Sequence, residues 1–256
     1  AEVNLYYKDL IDLATYKEGF YNLRGDANWQ SKIESGGKGE AWGAEFFLRK
    51  TKGKYTGFAS YAWSRATRIF PEINHGQPYR FDYDRPHTIS LSASRHFNKR
   101  ASLTIAWVYQ TGQPYTPVIG RQLIPSLEYD EEGRPYIYEA YIYGERNSGR
   151  MKNYHRLDIS YSVNRFSVNN KLYATWTFGL YNAYNRKNPV YYYYNTGPSG
   201  EIINPESSGM AYKPFSLYQL ALFTIIPTVS YRYYFNQRDK SEIPSFQQRL
   251  KNLLYH

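Results

Sequence analysis

The 256-residue sequence contains no cysteine, which excludes disulfide scaffolds and cysteine-based zinc or redox sites. It also has no stretch of ~18 consecutive apolar residues, and this excludes a membrane-spanning helix. No secretory leader precedes the first strand-like residues, so the chain is expected to be either a processed protein or part of a longer one.

Long blocks of lysine or arginine are missing as well, although the formal net charge is +10. No nucleic-acid motif accompanies this charge, so a nucleic-acid partner is disfavoured. Two interpretations stay open. The positive charge attracts an anionic lipopolysaccharide surface, or the cations are scattered over loops without a common target.

Aromatic residues, by contrast, are abundant: the chain has 30 tyrosines, and aromatics make up 19% of it. Tyrosine and tryptophan favour a membrane–water interface because their apolar rings carry a polar group. The mean hydropathy of −0.69 is compatible with a membrane barrel, since only every second residue of a barrel strand contacts lipid.

The segment 217–235 shows the clearest two-sided pattern. From residue 228 onward, apolar residues alternate strictly with polar ones, so a strand here has one apolar and one polar face. Arg232 falls on the polar side. Pro227 lacks an N–H donor and predicts a bulge or local break. This pattern is typical of an outer-membrane strand, with lipid on one side and a wet lumen on the other.

The same period of two recurs along the chain and predicts about eight strands. The predicted strands are 2–10, 41–50, 55–68, 88–97, 103–109, 157–164, 172–180 and 217–235. The remaining long segments are predicted to be loops: 11–37 with a hairpin extension near 29–33, 113–153, and 186–215.

The predicted connections differ in length between the two sides of the sheet. Turns at 51–54, 98–100 and 167–170 are tight, whereas the opposite connections are long, as in outer-membrane barrels. A soluble sandwich also has alternating strands but gives no reason for this segregation. The interior of a small barrel is filled by its side chains. Here the side chains at the polar positions are mostly small, which suits the wall of a wide lumen better. The sequence therefore predicts an all-β, antiparallel transmembrane β-barrel over 1–235, its strands forming an arc of a larger barrel.

Seven segments, in a fixed order, carry a resemblance to a known family. They are GGKGEAWGAEFFLRK (36–50), SYAWSRATRIF with EINHG (60–76), YDRPHTISLSAS (83–94), YQTGQPYT (109–116), YGERNSGRMKNYHRLDIS (143–160), LYNAYNRKNPV (180–190) and LFTIIPTVSYRYYF (222–235). In order and spacing they resemble the C-terminal barrel region of TonB-dependent outer-membrane receptors. The branch is the one whose plug follows a carboxypeptidase-regulatory-like domain.

The resemblance implies a ~22-strand, multi-pass barrel in the bacterial outer membrane that imports a scarce nutrient. It implies as partners the membrane lipid and lipopolysaccharide, a plug and further strands, the TonB energy-coupling system, and a surface lipoprotein or other outer-membrane subunits. It also implies that the last strand, with Tyr231, Tyr233 and Phe235, is the membrane-insertion signal. The plug, the coupling box and about two-thirds of the barrel are not in this sequence. Two alternatives stay open: a non-transporting, receptor-like subunit of a surface or assembly complex, and a small barrel acting as an anchor or adhesin.

Charged residues on the polar parity are the first candidate site. A charge facing lipid near the midplane costs about 2–4 kcal/mol, so these side chains are expected to face the lumen or lie near the rim. They either hold the plug through ion pairs or simply solvate the lumen wall. The candidates are Glu45, Arg49, Arg156, Asp158 and Arg232.

Tyrosines in the long loops are the second candidate site. Their rings offer stacking surfaces for sugars or peptides, although such tyrosines also serve as interface anchors. The candidates are Tyr129, Tyr136, Tyr138, Tyr141, Tyr191, Tyr192, Tyr193 and Tyr194.

No catalytic, cofactor or metal site is predicted. Asp82, Asp84 and His87 include metal-ligand residue types, but an Asp–Arg pair at a strand end is the favoured interpretation. GGKG at 36–39 lacks the strand–loop–helix context of a phosphate loop. No enzyme is therefore expected.

The residues after Phe235 predict a C-terminal extension. Apolar residues at 246, 250, 253 and 254 follow helical spacing after Pro244, as in a short amphipathic helix over 236–256. Such a helix docks on a periplasmic partner, packs under the barrel, or has no specific role.

Overall fold

The computed structural model describes residues 1–17, 29–195 and 216–235. Within them the fold is built from strands, with two short 3₁₀ helices, Trp29–Lys32 and Asn74–Gly76. No helix in these ranges is long and apolar enough to cross a membrane. The strands are β1 (Glu2–Tyr16), β2 (Ile33–Lys50), β3 (Tyr55–Ile69), β4 (Tyr79–Arg80), β5 (His87–His96), β6 (Ala101–Gln110), β7 (Pro114–Tyr115), β8 (Val118–Tyr129), β9 (Pro135–Tyr143), β10 (Gly149–Arg150), β11 (Tyr154–Phe166), β12 (Leu172–Tyr181), β13 (Tyr191–Asn195), β14 (Ser216–Leu220) and β15 (Ile226–Tyr233).

Eight long strands form one antiparallel sheet in the order β1-β2-β3-β5-β6-β11-β12-β15, with β4 added beside β3. The pairs β7–β10, β8–β9 and β13–β14 form three separate two-stranded ribbons. The predicted all-β, antiparallel fold is confirmed. Over the described residues the sheet is open, with β1 and β15 at its edges.

The cross-strand register divides the sheet into two chemically different faces. Because paired residues point to the same side, each ladder keeps one kind of side chain together. We call the first side the apolar face; it carries Leu5, Trp42, Phe46, Tyr61, Leu91, Ile105, Ile159, Phe178 and Val229. We call the other side the polar face; it carries Asn4, Gly43, Ser60, Ser92, Thr104, Ser160, Thr177 and Ser230.

The apolar face is open to its surroundings rather than packed beneath a second layer. Leu5 is 78% exposed, Phe178 48% and Val229 66%. Among the described residues, the fully buried apolar side chains lie elsewhere, apart from Ala174. Over the described residues, no second sheet covers this face as one would in a sandwich.

Connections of different length lie at opposite ends of the sheet. The tight turns fall at 51–54, 97–100 and 167–171, and we call that side the turn end. At the other side, the loop end, the long connections are 17–32, 70–86, 111–153 and 182–225. The segregation inferred from the sequence is therefore present in the strand order.

A small apolar cluster closes the loop end beside β1 and β2. Phe70 and Ile73 are fully buried, Tyr79 is 6% exposed, and Leu13 packs against them. Gly37 of β2 makes room for the Phe70 ring, since a Cβ atom there would lie 2.2 Å from the Phe70 Cζ. The glycine thus lets the 70–86 connection lie flat on the sheet.

Replacing Gly37 with alanine is expected to destabilise the protein by about 1–3 kcal/mol, because the buried Phe70 has no space to retreat into. The measurement is the thermal unfolding midpoint of the purified protein. Gly120→Ala is the matched control: its new Cβ would meet nothing nearer than Ile142 Cδ1 at 3.5 Å. Equal midpoints for the two variants would contradict this packing.

The predicted bounds of the loop 11–37 are wrong at both ends. β1 continues to Tyr16 and β2 begins at Ile33, while the predicted hairpin extension at 29–33 is mainly the 3₁₀ helix Trp29–Lys32. The register shifts between Leu10 and Leu13 and again before Thr15. Such bulges insert unpaired residues, so the sequence loses its period of two although the strand continues.

The prediction that 113–153 is irregular is also wrong. This connection contains the long β8–β9 hairpin and the short β7–β10 ribbon. Part of the predicted loop 186–215 is strand as well, since β13 spans Tyr191–Asn195. The rest of that loop and the predicted helix at 236–256 lie outside the described residues.

The last predicted strand is two strands. β14 pairs with β13, and β15 pairs with β12, separated by an irregular segment at 221–225. The break is therefore not at Pro227, which pairs with Leu180 in unbroken register. β15 is an edge strand of the described sheet, a position where a strand accommodates proline.

Candidate functional site

Near the loop end, the polar face carries a cluster of four large side chains, those of Tyr154, Arg156, Asp158 and Tyr181. Arg156 donates from Nε to Asp158 Oδ2 over 3.0 Å, and its Nη2 lies 2.9 Å from the same oxygen. Its Nη1 donates to the Tyr154 hydroxyl over 3.0 Å and to the Tyr181 hydroxyl over 2.5 Å. The guanidinium carbon also sits 4.0 Å from the centre of the Tyr181 ring.

This arginine and aspartate neutralise each other within one strand. Their side chains are 23% and 28% exposed, so the pair is partly screened from water. Asp158 Oδ1 also accepts a 2.9 Å hydrogen bond from the backbone N–H of Asn182, a residue only 1% exposed. The pair therefore anchors the turn after β12 to the sheet.

A cavity of about 310 Å³ lies beside this cluster, where β6 and β11 meet the loops. Gln110 and Tyr154, which pair across the two strands, form its sheet side. Arg85 donates from Nη1 to Gln110 Oε1 and from Nη2 to Gln113 Oε1, the latter over 3.4 Å. The other lining residues are Thr111, Gly112, Met151, Lys152, Pro189 and Val190.

Burial lowers the pKa of Arg85, and Tyr154 acts in the opposite direction. Desolvation disfavours the charged form of a cation, but an arginine still carries its charge at neutral pH. The cavity therefore presents a positive charge among amide and hydroxyl groups.

Residues 144–151 cross the loop end, and we call them the strap. Arg150 Nη2 lies 2.7 Å from Asp84 Oδ2, and Asp84 is 4% exposed. Arg150 Nη1 also donates to the carbonyls of Asp84 and Gly112, each over 2.8 Å. The other Asp84 oxygen accepts from Ala66 N–H over 2.9 Å. A buried charge is tolerated when it is paired and hydrogen-bonded in this way.

Two further buried strap residues fasten it to the neighbouring loops. Arg146 donates from Nη1 to the Tyr16 carbonyl over 2.8 Å, and its backbone N–H donates to Asn74 Oδ1 over 2.7 Å. Asn147 Nδ2 donates to Asp82 Oδ1 over 2.6 Å. The strap thus ties the 111–153 connection to the 70–86 connection and to the end of β1.

The five predicted charged residues all lie on the polar face but not in one group. Arg156 and Asp158 are paired near the loop end, whereas Arg49 and Arg232 lie toward the turn end. Glu45, Arg49 and Arg232 are exposed. Contact with a plug remains a prediction for all five.

The predicted loop tyrosines divide into two environments. Tyr129, Tyr136, Tyr191 and Tyr193 are exposed, and Tyr193 stacks on Tyr218 with ring centres 5.7 Å apart. The hydroxyls of Tyr192 and Tyr194 instead accept backbone hydrogen bonds, from Lys152 over 3.0 Å and from Val118 over 3.1 Å. The Tyr141 and Tyr194 ring centres are 6.5 Å apart. The Tyr138 side chain is outside the described set.

The three residues of the predicted insertion signal lie together at the end of the sheet. Tyr231 contacts Trp176 with ring centres 4.6 Å apart, and Tyr233 contacts Phe235 at the same separation. All three side chains are exposed, and the Phe235 side chain is 84% exposed.

Asp82, Asp84 and His87 do not converge. Asp82 accepts from Asn147, Asp84 pairs with Arg150, and His87 Nδ1 lies 2.9 Å from the Tyr61 hydroxyl on the apolar face. Within 1–17, 29–195 and 216–235, no group of three acidic or histidine side chains is placed to hold a metal ion.

Sequence reasoning missed the cavity and the strap. One signal was available for the cluster: Tyr154 and Tyr181 are aromatic residues on the polar face of two strands whose polar-face positions toward the turn end are small, as at Ser160, Ser162, Thr177 and Gly179. Arg85 and Arg150 gave no such signal, because their surroundings are built by chain segments far apart in sequence.

Comparison with known proteins identifies no relative. No family model, curated protein or solved structure matches this chain.

Proposed function

We propose that the chain is a segment of an outer-membrane β-barrel, with the apolar face toward lipid and the polar face toward a lumen. More particularly, we propose the C-terminal part of a TonB-dependent receptor that imports a scarce nutrient together with a plug and further strands. The exposed apolar face carries the proposal. The largest apolar patch on a soluble monomer is usually ~300–600 Å², whereas this face runs across eight strands.

The distribution of aromatic rings on the apolar face supports a membrane setting. Trp42 and Trp63 contact each other near the loop end, with ring centres 4.8 Å apart, and Trp176 contacts Tyr231 toward the turn end. Between the two levels, one row across four strands is aliphatic and consists of Ala93, Ile105, Ile159 and Leu180, while the rows on either side of it include the rings of Trp107 and Phe178. Membrane barrels carry such aromatic girdles on both sides of an aliphatic band.

The open edges support an arc rather than a complete barrel. Backbone groups at a sheet edge have no water to bind inside hydrocarbon, so membrane strands must have neighbours on both sides. β1 and β15 each have one described neighbour. In this proposal, the preceding strands of the longer protein pair with both edges.

Single cysteines test the membrane topology, since this sequence has none of its own. Glu131→Cys lies in the β8–β9 hairpin turn at the loop end, and Lys52→Cys lies in a tight turn at the turn end. We expect an impermeant maleimide to label the first in intact cells and the second only after the outer membrane is permeabilised. Equal labelling of both positions in intact cells would overturn the barrel proposal.

A deletion strain separates import from the alternative of a non-transporting surface subunit. Import predicts lost growth on at least one large nutrient, and a protonophore should abolish uptake of that nutrient in the wild-type strain. Normal growth on every nutrient, with loss of a co-purifying outer-membrane complex, would reject import in favour of the subunit.

A further inference from the structure

Arg85 differs from three arginines of the loop end that are paired with carboxylates. Arg150 pairs with Asp84, Arg156 pairs with Asp158, and Arg134 pairs with Asp130. No carboxylate among the described residues lies within ion-pair distance of Arg85. Its acceptors are the neutral amide oxygens of Gln110 and Gln113.

The adjacent aspartate is not available to balance this charge. One Asp84 oxygen is held by Arg150 at 2.7 Å, and the other accepts from Ala66 N–H. Arg85 is nevertheless half-buried, and its pKa is lowered by desolvation, which Tyr154 only partly offsets. A half-buried cation facing an open cavity is therefore left with neutral partners only.

The rest of the cavity defines what would complete the site. Lys152 adds a second positive charge. The Thr111 and Tyr154 hydroxyls also line the cavity; Thr111 Oγ1 already exchanges hydrogen bonds with the His87 backbone, and the Tyr154 hydroxyl accepts from Arg156. Pro189 and Val190 supply an apolar wall. The volume of about 310 Å³ lies within the ~300–1,000 Å³ of small-molecule pockets.

We propose that this cavity binds a small hydroxylated carboxylic acid, such as a uronic sugar, with Arg85 as the partner of the carboxylate. The planar guanidinium matches a carboxylate through two parallel hydrogen bonds. The Gln110 and Gln113 side-chain oxygens accept from Arg85, so the amide N–H groups of these residues are the donors left for hydroxyl groups around the anion. The proposal deepens the import function by naming a substrate class.

Glucuronate and glucose test the proposal, because they differ only in the carboxylate that replaces a hydroxymethyl group. Binding is measured by calorimetry on the full protein, purified in detergent at low salt. Wild type is expected to bind glucuronate at least 10-fold more tightly than glucose. Arg85→Gln should weaken glucuronate binding at least 10-fold and leave glucose binding unchanged, whereas Arg85→Lys should retain part of the preference.

Lys52→Gln is the matched control, since it removes a cation at the turn end, and it should bind like wild type. Acetate forms a third arm: competition by acetate as strong as by glucuronate would reject the role of the hydroxyls. Equal affinity of wild type and Arg85→Gln for glucuronate would overturn the site, as would no glucuronate binding by wild type. Binding in detergent does not depend on transport, so the site and the import proposal can fail separately.

Discussion

In the proposed barrel, Ile105→Arg is expected to prevent assembly of the protein in the membrane. Ile105 lies in the aliphatic band of the apolar face, paired with Ile159 and Ala93, and its side chain is 42% exposed. An arginine facing lipid near the bilayer midplane costs about 2–4 kcal/mol, a large share of the stability of most folded proteins. The measurement is the amount of heat-modifiable protein recovered from the outer-membrane fraction.

Ala106→Arg is the control, because it places the same side chain one residue further on the opposite face. Ala106 pairs with Asp158 and Ser92, so the new cation would lie among polar groups beside a carboxylate. This variant should assemble at close to wild-type levels. Similar losses for both substitutions would show that the two faces do not meet different solvents.

Arg150→Met is expected to release the strap. It leaves the buried Asp84 carboxylate without its cation, and breaking one side of a buried pair typically costs about 3–5 kcal/mol. The backbone N–H groups of Asn147 and Met151 are hydrogen-bonded to Thr116 Oγ1 and the Gln113 carbonyl. Their hydrogen-exchange protection should fall at least ~100-fold, because each ~1.4 kcal/mol of lost stability lowers protection about tenfold.

Adding Asp84→Asn to Arg150→Met should recover part of the protection, since the uncompensated charge is then removed. Arg134→Met serves as the exposed comparison. Arg134 pairs with Asp130 at the β8–β9 hairpin turn, where its side chain is 69% exposed, and it should not change exchange in the strap. Unchanged protection in Arg150→Met would mean that other contacts hold the strap.

The two faces of the sheet could be predicted because they follow from a local rule. Side chains alternate between the two faces of any strand, so the face on which Leu91, Ile105 and Phe178 lie can be predicted without knowing which strands are their neighbours. The tight turns were predictable for the same reason. Strand ends were predictable only where the alternation persists, and the bulges after Leu10 interrupt it.

The loop end could not be predicted in this way. Asp84 and Arg150 are 66 residues apart, and Arg146 reaches Tyr16 across 130 residues. Nothing local in either partner identifies the other, because each pair depends on the order of the strands and on the path of the connections. The cavity beside Arg85 has the same origin.

The uncovered apolar face has a consequence for how the chain acquires its shape. Forming the sheet in water buries little apolar surface, so the hydrophobic effect contributes little to folding there. In the proposed barrel, that driving force would come from the lipid that contacts the apolar face. Folding and membrane insertion of such a barrel would then be one event, and the unfolded chain would need protection from aggregation until it reaches the membrane.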